Sequence, residues 1–110
     1  MNTKTDFRFG EVYTLADQVE KTNEKVKFIN ILETSNGGVS LLAFEAGQYL
    51  DEHVAPAEVM VNVLEGEIEF DMAGIVHAIK AGEFLLMGQD VLHKVRAIKD
   101  SKVLLIKVKA

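Results

Sequence analysis

The chain has 110 residues, of which 48% are hydrophobic and 26% are charged, and it contains no cysteine. A chain of this length supports one hydrophobic core, and the lack of cysteine excludes disulfides, thiolate metal sites and a cysteine nucleophile. The net charge of −5 argues against nucleic acid and anionic membranes as partners, because both require a basic surface. No apolar run reaches the roughly 20 residues of a membrane helix and no signal peptide is recognisable, so we expect a cytoplasmic protein.

Residues 1–24 form a polar N-terminal lead-in whose pattern differs from that of the remaining chain. Within it, residues 14–20 predict a short helical turn with Thr14 as the N-cap and Asp17 near the helix N-terminus. An edge strand or an arm that contacts a second subunit are the other interpretations of this segment.

Residues 25–110 contain short apolar segments separated by Gly or Asn, which is typical of a β-sandwich or barrel. The segment 67–72 alternates strictly, so Ile68, Phe70 and Met72 are predicted to face the core. The segment Ser35-Asn36-Gly37-Gly38 predicts a tight hairpin turn, in which Asn-Gly would supply the positive φ angles that such turns require. We expect about eight or nine strands, of which the clearest lie at 26–32, 39–44, 67–72, 75–79, 84–87 and 103–108.

The three histidines, His53, His77 and His93, are the main candidates for chemistry in this chain. Each shares a strand face with apolar neighbours, as His93 does with Val95, and is therefore predicted to point inward. Several inward histidines in one small barrel favour a polar cavity. Tyr49 lies shortly before His53 and is predicted to border the mouth of that cavity.

The segment from Gly47 to Ala97 resembles the cupin double motif. Gly47 and Gly82 open the two motifs, and His53 and His93 stand at histidine positions of the first and the second. The resemblance implies an all-β fold, a single cupin-type double-stranded β-helix, or jelly-roll barrel, over residues 25–110 with the short lead-in before it. It also implies a homodimer, because small cupins commonly pair through their sheets and exposed strand edges need covering.

Metal-binding members of this family take four ligands from the two motifs, and two of these are missing here. Ala55 stands at the position of the second histidine and Val59 at that of the glutamate. His77 is a candidate replacement, and a site of three histidines with His53 and His93 would suit Zn, Fe, Mn or Ni. The other interpretation is that His77 packs in the core or at a dimer interface.

These residues leave three hypotheses for the function. The favoured one is the binding of a small polar organic ligand, an organic acid or a sugar-like molecule, by His53 and His93, with His77 and Tyr49 as further ligand-binding candidates. The alternative, implied by the resemblance, is a metal-dependent enzyme of the dioxygenase or isomerase type that uses the three histidines. A metal-free isomerase or epimerase with a histidine base is a third reading. Lys107 and Lys109 are interpreted as solvated surface.

Overall fold

A computed structural model describes residues 3–109; residues 1, 2 and 110, which belong to the predicted lead-in and barrel, lie outside this range. The described chain is almost entirely β, as predicted, with one 3-10 helix at Leu15–Gln18. The strands are β1 (Lys27–Thr34), β2 (Gly37–Phe44), β3 (Tyr49–His53), β4 (Glu58–Glu65), β5 (Glu67–Met72), β6 (Ile75–Lys80), β7 (Phe84–Met87), β8 (His93–Ala97) and β9 (Ser101–Val108). Between residues 3 and 109 there is no helix with the length and apolar character that crossing a membrane requires.

The strands form two antiparallel sheets that enclose one main core. The larger sheet has the order β1-β2-β9-β4-β7 and the smaller one the order β3-β8-β5-β6. Alternate residues of both sheets meet between them, and the largest fully buried side chains include Phe44, Phe70, Ile68 and Val61. The alternation of 67–72 is confirmed, because Ile68 and Phe70 are buried. The expected jelly-roll arrangement follows from this pairing.

The first hairpin differs from its predicted geometry. Thr34 pairs with Gly37, so the two turn residues are Ser35 and Asn36 rather than Asn36-Gly37. Gly37 has φ +148° and lies in β2, where a Cβ would collide with the main-chain oxygen of Lys107 on β9. The glycine is therefore required by the close approach of two strands as well as by its backbone angle.

The turn between β5 and β6 has the geometry that was expected of the first hairpin. Met72 pairs with Ile75, and the two residues between them, Ala73 and Gly74, have φ angles of +53° and +88°. Positive φ at both central positions is characteristic of a type I′ turn, which matches the twist of the flanking strands. Asp71 also stabilises the turn, because its Oδ1 accepts a hydrogen bond of 3.0 Å from the N–H of Gly74.

The lead-in packs on the outer face of the larger sheet. Lys4 forms an isolated antiparallel bridge with Glu33 of β1, and Val19 is buried in a second apolar cluster on that face. The predicted helical turn is present as the shorter 3-10 helix, which Thr14 precedes without a side-chain capping hydrogen bond. Residues 3–24 thus cover part of a sheet surface and partner the edge of β1.

Candidate functional site

A cavity of about 260 Å³ lies between the two sheets. Phe28 and Val54 line it and are about half exposed, which places its opening between β1 and β3, the edge strands of the two sheets. The walls are mainly apolar. Within residues 3–109, the polar side chains that line the cavity are those of His53, His93 and Lys107.

His53 reaches the cavity because β3 contains a β-bulge. Leu50 pairs with Val95, and a regular ladder would then place Glu52 opposite His93. The register shifts, and His53 is the residue that pairs with His93. One extra residue in a strand re-aims the side chains that follow it, so both Leu50 and His53 face inward although they are three positions apart.

His53 and His93 form a close pair whose tautomers are fixed by hydrogen bonds to the main chain. Their ring centroids are 4.0 Å apart. The Nδ1–H of His53 donates to the main-chain oxygen of Asp51 at 2.7 Å, and that of His93 donates to the oxygen of Val91 at 2.9 Å. Because a carbonyl oxygen can only accept, Nδ1 carries the hydrogen in each ring. In the neutral imidazoles, both Nε2 atoms are therefore free to accept a hydrogen bond.

The two histidines differ in their surroundings. His53 is exposed near the cavity opening, whereas His93 is buried and stacks on Phe70 with a centroid distance of 5.4 Å. Burial lowers the pKa of His93 below its ordinary value of 6.5; the hydrogen bond to Val91 opposes this shift, and positive charge on His53 and Lys107 adds to it. His93 is thus a neutral imidazole at pH 7.

Lys107 is a cavity residue that the sequence interpretation assigned to solvated surface, and that interpretation is wrong. Val103, Leu105 and Lys107 lie at alternate positions of β9, and all three line the cavity. The alternation of β9 carried the necessary signal, since it places Lys107 on the face of two core residues. Lys109, beyond the end of the strand, is exposed as expected. No ion pair within residues 3–109 involves Lys107.

Tyr49 lies on the opposite face of the smaller sheet from the cavity. It is 63% exposed and pairs with Arg96, whereas the next residue, Leu50, faces inward. Alternation along β3 before the bulge explains this position. The prediction that Tyr49 borders the cavity mouth is therefore wrong.

His77 faces inward opposite Phe70, as alternation predicted, but it does not line the cavity. It lies on β6, the far edge of the smaller sheet, and β5 separates that strand from β8. Two strand spacings of about 4.8 Å place the main chains of β6 and β8 roughly 10 Å apart. The structure therefore does not bring His77 together with His53 and His93. Its Nε2 atom is buried and has no hydrogen-bond partner among residues 3–109.

The residues around the histidine pair do not fit a divalent metal ion. A firmly bound metal generally needs three or more protein ligands, and here Ala55 and Val59 occupy two of the implied ligand positions. No group of three or more His, Cys, Asp or Glu residues within 3–109 is placed to hold a metal ion. Lys107 pairs with Val59 across the β4–β9 ladder, which adds a positive charge where the glutamate is expected.

Comparison with solved structures finds proteins that share this fold over most or all of the chain. An RmlC-like cupin protein from Desulfovibrio desulfuricans is 30% identical, with a TM-score of 0.79 over 89% of this chain and 95% of that one. A conserved protein of unknown function from Streptococcus pyogenes is 20% identical, with a TM-score of 0.90 over 100% of this chain and 96% of the other.

A cupin 2 conserved barrel domain protein from Leptotrichia buccalis is 32% identical, with a TM-score of 0.84. The match covers 88% of this chain and 47% of that protein. No protein-family model and no curated protein matches the chain.

Proposed function

The chain belongs to the RmlC-like cupin family, and on this basis we propose that its barrel binds a small organic molecule through His53 and His93 without a metal ion. The observation that carries the proposal is the histidine pair in a cavity with apolar walls. Both Nδ1 atoms donate to the main chain, so each neutral ring offers Nε2 as an acceptor. A ligand with one hydrogen-bond donor and an apolar body complements these groups.

The size and the lining of the cavity limit the ligand class. A volume of about 260 Å³ accommodates roughly nine non-hydrogen atoms if each takes the ~30 Å³ that a water molecule occupies. A sugar would place most of its hydroxyls against apolar side chains such as Val61 and Leu105, where they would lack hydrogen-bond partners. Of the two classes expected from the sequence, an organic acid is the better match, because it carries fewer hydroxyls and its carboxylate can pair with Lys107 in the lining.

The test is isothermal titration calorimetry of the purified, untagged protein against small organic acids, their amides and monosaccharides. A ligand that binds the wild type is then titrated into His53→Leu, which we expect to weaken binding about tenfold, the effect of losing one strong hydrogen bond. His77→Leu is the matched control, because it removes a histidine outside the cavity. The proposal would be contradicted if the protein contained stoichiometric metal and lost ligand binding when that metal was removed. It would also be contradicted if His53→Leu and His77→Leu weakened binding equally.

We also propose that the protein forms a homodimer through the outer face of β7 and β4. Phe84 and Leu86 of β7 are 59% and 68% exposed, and Leu86 pairs with Met60 on the same apolar face. In the described part of the chain, β7 pairs with a strand on one side alone. A second copy would cover both this edge and the apolar side chains.

Light scattering at micromolar concentration tests this interface. We expect a dimer for the wild type and a monomer for Leu86→Glu, because the substitution places a charge in the proposed contact. Ile75→Glu is the matched control, since Ile75 is 63% exposed on the smaller sheet. A monomeric wild type would contradict this proposal.

A further inference from the structure

The cavity contains a cationic side chain with no acidic neighbour in its lining. Among residues 3–109, Lys107 has no ion pair, and no Asp or Glu lines the cavity. We propose that Lys107 anchors the carboxylate of a small hydroxy-monocarboxylic acid whose hydroxyl donates to the His53–His93 pair. This inference rests on the proposed function and names the ligand class of the same site.

The charge of the site indicates a monoanion. The protein as a whole carries −5, so a positive group inside the barrel is a local feature and not part of a basic surface. One ammonium neutralises one carboxylate, whereas a dianion would leave a charge without a partner among apolar walls, which costs considerable free energy. A phosphate or a dicarboxylate is therefore a poorer match than a single carboxylate.

The hydrogen-bonding groups indicate what else the ligand carries. With Nδ1 of His53 and His93 committed to main-chain oxygens, the pair presents acceptors, and a carboxylate oxygen cannot donate to them. A ligand with a hydroxyl beside its carboxylate satisfies both sides, since the hydroxyl donates to Nε2 and the carboxylate accepts from the ammonium of Lys107. The remaining atoms have to be apolar to match the other walls.

The two sheets hold these groups on opposite sides of one space. His53 and His93 belong to adjacent strands of the smaller sheet, and Lys107 lies on β9, in the interior of the larger sheet. His93 and Lys107 both line this one cavity, and the charge of Lys107 contributes to lowering the pKa of His93. Gly38 pairs with Lys107 on the β2 side and has no side chain that could neutralise the ammonium.

Calorimetry with three matched probes tests the inference: 2-hydroxy-3-methylbutanoate, its amide, which lacks the charge, and 3-methylbutanoate, which lacks the hydroxyl. We expect the wild type to bind the hydroxy acid about tenfold more tightly than either analogue. Lys107→Met should remove the preference for acid over amide, and Lys107→Arg should keep it. Lys109→Met, an exposed lysine, is the matched control.

The outcomes separate this inference from the proposed function. If Lys107→Met still prefers the acid, or if the wild type binds acid and amide equally, the inference is wrong while ligand binding at the histidines stands. If neither the probes nor the wider panel bind at all, the proposed function fails with it.

A second readout does not depend on the folding of Lys107→Met. In NMR spectra of the wild type, we expect the hydroxy acid to shift the lysine ε-CH2 signal that disappears in Lys107→Arg. An unmoved signal with bound acid would overturn the inference.

Discussion

The unneutralised charge of Lys107 predicts that Lys107→Met stabilises the unliganded protein. The substitution keeps an unbranched stem of similar length on β9 and removes the ammonium from the apolar cavity. A fully buried, unpaired ion costs several kcal/mol. Lys107 is partly exposed, so most of that cost is relieved by water, and we expect a gain of about 1 kcal/mol.

Urea unfolding followed by circular dichroism at pH 7 measures this gain. For a domain of this size, about 1 kcal/mol corresponds to a rise in Tm of about 4 °C. Lys109→Met is the control, and its free energy of unfolding should change by less than about 0.5 kcal/mol, as for an ordinary surface substitution. A loss of stability in Lys107→Met would refute the reasoning, because it would mean that the ammonium has a favourable partner in the free protein.

Three further substitutions test other parts of the structure. Burial lowers the pKa of His93 below 6.5, with His53 and Lys107 facing it, so its contribution to stability is complete above pH 6.5 and is lost as the pH falls through the lowered value. His93→Gln should flatten this pH dependence of the free energy of unfolding in urea titrations, and an unchanged pH profile would contradict the lowered pKa. Ala73→Gly should raise the free energy of unfolding by about 0.5 to 1 kcal/mol, because Ala73 has φ +53°, a left-handed conformation that costs alanine more than glycine. A Tm that does not rise would contradict a strained turn. His77→Leu should stabilise the protein by about 1 kcal/mol, since it removes a buried Nε2 that has no hydrogen-bond partner in the described part of the chain. A lower free energy of unfolding in urea would show that this nitrogen is satisfied by water.

The strands could be predicted because their signals are local. Strand β5 has the predicted bounds because residues 67–72 alternate strictly, and β7 has the predicted bounds because Gly88 follows it directly. The first turn lies within the predicted segment 35–38, but the role assigned to Gly37 is wrong, because Gly37 belongs to β2 and is required by contact with Lys107 on β9, a residue distant in the sequence. Contacts between distant strands leave no local pattern.

The site could be predicted only where its residues follow a local pattern. Alternation indicated that His93 faces inward, and the motif identified its partner His53. The bulge in β3 turns His53 inward, to the face opposite that of Tyr49, and it depends on pairing with β8. The face of His77 could be predicted, but its distance from the cavity depends on the strand order. Lys107 was missed because the preference of lysine for the surface was given more weight than the alternation of its strand.

The most direct test of ligand binding at the histidine pair is a titration of ¹⁵N-histidine-labelled protein with 2-hydroxy-3-methylbutanoate, followed by the imidazole nitrogen signals. The chain has three histidines, so each can be assigned by a single substitution. We expect the Nε2 signals of His53 and His93 to move saturably while that of His77 stays in place. If the acid binds and the signals of His53 and His93 do not move, the ligand lies elsewhere and the proposed site is wrong.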